Sequence, residues 1–259
     1  MSARGHAARA RPIFGARSST KVGPSLGQAR ISRATLTSQL EEALRTDIVT
    51  GLLEPGQKLR ATDITALYGV IATPIREAVQ RLSGQGLVEL DPKIGARVAS
   101  ISLEDVRDVF AVRLMLEPRA LELSIAGGGS PWLREVTESF ERLRSVMSGR
   151  RGTDGARWRE AMLETAEAHR AFHWALLSAC GSPWLLRFIS ILYGHSSRYR
   201  MLLVRGRDRP AWLRGHQAIF DAARRRDAKR AVRVQAQHTR QGLEMLVRSY
   251  GTSAKRRRG

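Results

Sequence analysis

The chain has 259 residues, enough for two ordinary domains, and 42% of them are hydrophobic. It carries 44 Lys and Arg against 24 Asp and Glu, a formal net charge of +20, which points to a polyanionic partner such as nucleic acid or an anionic membrane face. A single cysteine, Cys180, excludes an internal disulfide and fits a reducing, cytoplasmic setting, and no run of about 18 apolar residues exists to span a membrane.

Residues 1–32 are rich in Arg and Ser and contain no acid. They read as a disordered basic arm rather than a transit peptide, because Gly and Pro are scattered through them without an apolar stripe. A second basic run, Lys255 to Arg258, lies in the tail 251–259. Without the seven cations before Glu41 and those four, a surplus of about nine remains, so the body is expected to be basic in its own right.

A helix is expected over 35–50, with Leu36, Leu40, Ala43, Leu44 and Ile48 on one face. Gly51 ends it and Glu54-Pro55-Gly56 makes a turn. A short helix near 62–68 is followed by Gly69, which suits a tight turn between helices. A third spans about 73–84, with Thr73 as its cap, Pro74 in its first turn and Ile75, Ala78, Val79 and Leu82 as its stripe. Two strands, 87–90 and 97–101, flank the loop 91–95. From Ser102, which reads as a helix cap, only helices follow: about 103–126, 131–149, 156–180, 182–204, 210–226 and 228–249. The fold class is therefore mainly α. A winged helix-turn-helix of three helices and a small β-hairpin (33–101) precedes an all-helical bundle (102–250).

In a helix-turn-helix the second helix lies in the major groove and its first residues meet the bases. Here those residues are Thr73 and, one turn in, Arg76. Thr73 suits a phosphate, and Arg76 a guanine edge or a phosphate. Arg60 is a candidate phosphate clamp, and Gly95 between Lys93 and Arg97 would bring a wing close to DNA.

The run Gly51-Leu52-Leu53-Glu54-Pro55-Gly56-Gln57-Lys58-Leu59-Arg60, then Thr73-Pro74-Ile75-Arg76-Glu77-Ala78-Val79-Gln80-Arg81-Leu82 and Gly86-Leu87-Val88, resembles the GntR family of bacterial regulators. The helical remainder resembles the FCD sensor domain of the FadR-type subgroup. The resemblance implies a homodimer on a palindromic operator in double-stranded DNA, most often acting as a repressor. It also implies Ser-Arg before the Thr-Pro pair, where this chain has Ile71-Ala72, and an acid after Arg60, where it has Ala61.

His169 and His173 are four apart on one predicted helix and share its apolar face, and His216 and His238 each keep the apolar phase of theirs. Four inward imidazoles need polar partners, and a shared divalent metal such as zinc, nickel, copper or iron would supply them. The FCD resemblance matches His173, His216 and His238 to metal-ligating histidines and puts His169 where an Asp is usual, a neutral replacement that implies zinc or nickel over magnesium or manganese. Arg113 keeps phase with Val106, Val109 and Phe110. Its partner is either Glu117, one turn on, or the carboxylate of a small organic acid effector, the ligand class the resemblance implies. His195, Arg198 and Tyr199 are further cavity candidates. Two rival readings are a regulator of the same family binding acyl-CoA without metal, and a histidine-site metalloenzyme. No Gly-x-Ser-x-Gly, phosphate loop or His-Glu-x-x-His supports the second, and no enzyme is expected.

Overall fold

Leu40, Leu44 and Ile48 fall on one face of an 18-residue helix, α1 (Arg33–Thr50), and all three are buried. The computed structural model describes residues 33–149, 155–203 and 209–256; the basic arm and the last residues of the tail lie outside that range. Two compact units result, one ending at Ser100 and the other running on from Ile101.

In the first unit, α2 (Ala61–Tyr68) and α3 (Ala72–Ser83) follow α1. Gly69 lies between them at φ +69°, a left-handed conformation that costs glycine nothing, and its N–H donates to the Thr65 carbonyl. α3 buries Pro74, Ile75, Ala78, Val79 and Leu82 on one side. Its cap is Ile71 in extended conformation, not Thr73, which lies inside the first turn. The side chains of Leu40, Leu44, Ile48, Ile64, Ile75, Leu82, Leu87 and Val98 meet in a single core.

The wing is β1 (Val88–Asp91) antiparallel to β2 (Gly95–Val98), with Val88 opposite Val98 and Asp91 opposite Gly95. β2 begins two residues and ends three residues before the span expected from the sequence. The Asp91 carboxylate accepts the N–H groups of Lys93 (2.7 Å) and Ile94 (2.9 Å), which tightens the turn. Gly95 at φ +86° then re-enters the ladder at once. Residues 56–59 add a third extended segment along β2: the Gly56 N–H meets the Val98 carbonyl and the Leu59 N–H the Ala96 carbonyl, both at 2.9 Å.

The second unit holds α4 (Leu103–Gly127), α5 (Ser130–Ser148), α6 (Gly155–Leu177), α7 (Pro183–Leu203), α8 (Arg209–Arg224) and α9 (Ala228–Arg256). Ser102 caps α4 by accepting the Asp105 N–H at 2.9 Å. α6 stops three residues early, at Leu177, and α9 runs seven residues past its expected end. α4 packs on α9 and α7, α5 on α6 and α8, and α8 on α9. Phe140 stacks on Phe220 at 4.4 Å between ring centroids and lies 5.4 Å from Phe172, tying α5, α8 and α6 together. Among the described residues no helix is long and apolar enough to cross a membrane.

Candidate functional site

α6 projects His169 and His173 from successive turns of its inner face, α8 adds His216 and α9 adds His238. Each offers one ring nitrogen, and these four atoms all lie within 4.8 Å of one another. The first three histidines are buried and the fourth is half-buried. Burial, reinforced by the neighbouring imidazoles and by Arg200, holds His169 well below the usual histidine range, and burial beside His216 and His238 does the same for His173. Both are therefore neutral, the form in which imidazole donates a lone pair.

Two details test whether this set suits a metal ion. Neither ring nitrogen of His173 has a hydrogen-bond partner, although both are buried. The bland alternative, a satisfied core histidine, fails there. Nδ1 of His216 lies 2.8 Å from the Trp212 carbonyl; as an N–H donor there it fixes the tautomer that leaves Nε2 as the lone pair. The donor set is all imidazole, with no carboxylate in it. The residues present could hold a divalent metal ion.

A cavity of about 470 Å³ opens beside the cluster, lined by His169, His173 and His238 together with Phe110, Arg113, Arg200, Trp212, Thr239 and Met245. Arg113 is buried, and its Nε donates to Glu117 Oε1 at 2.5 Å. The other Glu117 oxygen accepts from Gln235 Nε2 at 3.0 Å. Burial is the largest influence on Arg113 and works against its charge, but the Glu117 carboxylate and Tyr193 together outweigh it and keep the guanidinium protonated. The guanidinium also lies 4.7 Å from the Tyr193 ring centroid and 4.8 Å from that of Phe110. So Glu117 occupies one edge of Arg113, while the residue as a whole still lines the cavity.

In the first unit Arg60 stands exposed at the α2 cap, and Thr73 and Arg76 are exposed on the first turns of α3. Lys93 and Gly95 are exposed at the wing. Arg97 is half-buried, with Nη1 3.4 Å from the Gly56 carbonyl.

A family model described as "Bacterial regulatory proteins, gntR family" matches residues 36–98, and one described as "FCD domain" matches 108–241. The chain is 36% identical over 212 residues to the HTH-type transcriptional regulator BphR of Paraburkholderia xenovorans, covering 81% of this chain and 84% of that protein. The chain belongs to the GntR family. It is also 31% identical over 210 residues to the HTH-type transcriptional repressor GlaR of Escherichia coli, covering 75% of this chain and 88% of that one. The solved structure of E. coli McbR/YncC shares the fold, with a TM-score of 0.69 at 21% identity over 83% of this chain and 98% of that one. This is a GntR regulator with an FCD domain, and its family and relatives are transcriptional regulators, not enzymes.

Within this GntR chain the sequence pattern located the four histidines and Arg113 but missed other parts of the cavity. Of α7, Arg200 lines it, whereas Tyr199 is buried with its hydroxyl on the Asp105 carboxylate and neither Arg198 nor His195 is in the wall. Trp212 and Gln235, which hold His216 and Glu117, were also missed. Their signal is weak but present: Trp212 is one turn before His216, and Gln235 one turn before Thr239 on the buried face of α9.

Proposed function

We propose that this GntR regulator is a cytoplasmic homodimeric repressor that grips a palindromic DNA operator and is switched by a small carboxylate bound beside a divalent metal ion. The four-histidine cluster, three of whose members line the 470 Å³ cavity, carries this reading, because it places imidazole donors, His169 and His173 buried and neutral among them, where a ligand can reach them. His169, His173, His216 and His238 would hold the ion, with zinc or nickel preferred over magnesium or manganese by the all-imidazole set. When bound, the ion offers a Lewis-acidic position for an anionic oxygen. Arg113 supplies fixed positive charge to the same space, and Glu117 with Gln235 sets the orientation of its guanidinium. Phe110, Trp212 and Met245 exclude water around the acid's carbon skeleton. The acid shifts the DNA-binding equilibrium only by as much as its affinity differs between the gripping and released states. Arg60, Thr73, Arg76, Lys93, Gly95 and Arg97 form the DNA-facing set, and two such modules read the two half-sites of the operator.

Metal content by mass spectrometry tests the centre directly. We expect one zinc or nickel ion per chain after incubation and dialysis, and near-total loss in a folded His173→Ala variant. Protein that retains no ion removes the metal from the reading. Retained metal with no acid-dependent change in operator affinity removes the sensor role.

A further inference from the structure

Ile71 is the most exposed large apolar side chain among the described residues, at 75%. It occupies the cap position of α3, at φ −107° and ψ 155°, and makes no side-chain cap hydrogen bond. Ser, Thr, Asp or Asn there would satisfy an orphan N–H of the first turn, so Ile71 forgoes a stabilising cap and also leaves a branched hydrocarbon in water. A position that breaks two local rules at once, with no gain inside the fold, marks a contact made outside it. Ala72 and Thr73 follow, both exposed, and each adds a methyl group to the same helix end. Arg76, one turn on, is exposed and cationic, while Pro74 and Ile75 turn inward.

In a helix-turn-helix the N-terminal residues of this helix approach base edges in the major groove. The base edges there are hydrogen-bonding groups with one apolar exception, the C5-methyl of thymine. We infer that Ile71 and Ala72 read thymine methyl groups, so that the operator is specified at those positions by hydrocarbon contact rather than by a guanine-reading arginine. Arg76 and Arg60 then supply charge to the flanking phosphates, which sets position but carries no sequence information. The inference rests on the reading that α3 enters the major groove.

The test uses the full chain and an operator selected by it from randomised duplex DNA. Each thymine is then replaced in turn by deoxyuridine, which keeps every hydrogen bond and removes only the methyl. Burying one methyl is worth roughly fourfold in affinity, so one or two positions in each half-site are expected to show a loss of about that size by fluorescence anisotropy. An Ile71→Ser variant, which gains a cap, is expected to lose the penalty at one of those positions. Ala72→Arg is expected to shift selection from thymine towards guanine. Unchanged affinity on every deoxyuridine operator overturns the inference, and so does an Ile71→Ser variant that weakens on both operators equally. The latter result means that Ile71 meets protein, for instance a second copy of the chain, and not a base. Failure to enrich any sequence would instead overturn the DNA-binding reading, and this inference with it.

Discussion

Buried charge and buried imidazole present opposite accounts in the wall of one cavity. Arg113 is paired: Glu117 accepts a hydrogen bond from its Nε–H at 2.5 Å, and Gln235 donates to the far carboxylate oxygen. His173 is not, since both its ring nitrogens are buried without a partner. The first arrangement balances its charge without a ligand, the second asks for one. Removing one partner of a buried ion pair strands the other charge, which costs about 3 to 5 kcal/mol. Glu117→Gln is therefore expected to lower the denaturation free energy of the helical unit by that amount in urea titration. Adding Arg113→Met to it should recover most of the loss, because the stranded cation is gone. If the double variant is as unstable as the sum of the singles, the pair is not a coupled unit. The histidines and Arg113 were legible in the sequence because helical phase assigns a side to each residue on its own element. Arg200 and Trp212 were not, because phase tells inward from outward but does not tell cavity wall from core.

Corners between elements depend on backbone space that hydrophobic pattern does not encode. Gly127 to Gly129 reads in sequence simply as a break between two helices. In the structure Gly128 ends α4 where a Cβ would stand 2.6 Å from the Trp132 ring and 2.7 Å from the Ser124 carbonyl. Trp132 cannot retreat, for its indole N–H donates to the Ala175 carbonyl at 2.9 Å and the Arg226 guanidinium lies 4.9 Å from its ring. Gly128→Ala is thus expected to destabilise the helical unit by about 1 to 3 kcal/mol, read as a lowered melting temperature. A neutral result would mean that the corner relaxes freely. The helices of both units were readable because their stripes are long. Their ends were less so: Thr73 looked like a cap, but the extended residue before α3 is Ile71. The pairing of residues 56–59 along β2 was not legible, because the sequence there opens on the turn Glu54-Pro55-Gly56 and its hydrogen bonds to β2 are set by tertiary contact.

Across the whole molecule the positive charge is unevenly placed. Between Arg33 and Ser100 eight Lys and Arg face eight Asp and Glu, so the surplus expected of the body belongs to the helical half. Residues 33–100 carry no net charge of their own, so in the proposed reading specific contacts at α3 and the wing, together with the basic arm at 1–32, supply the hold on DNA. Such a reader is easily switched, since a coupling of about 1 to 3 kcal/mol changes occupancy 5- to 150-fold. The coupling must originate where the effector touches the protein, and the four-histidine cavity is the site proposed for it. His173→Ala is accordingly expected to bind the operator within about threefold of the parent when no acid is present, and to lose the acid's effect on that affinity altogether. Reciprocity adds a second readout: in the parent, an acid that weakens operator binding tenfold must itself bind the operator complex tenfold more weakly, measurable by calorimetry. If His173→Ala keeps the full response while holding no metal, the effector acts elsewhere in the helical unit and the cluster has only a structural role.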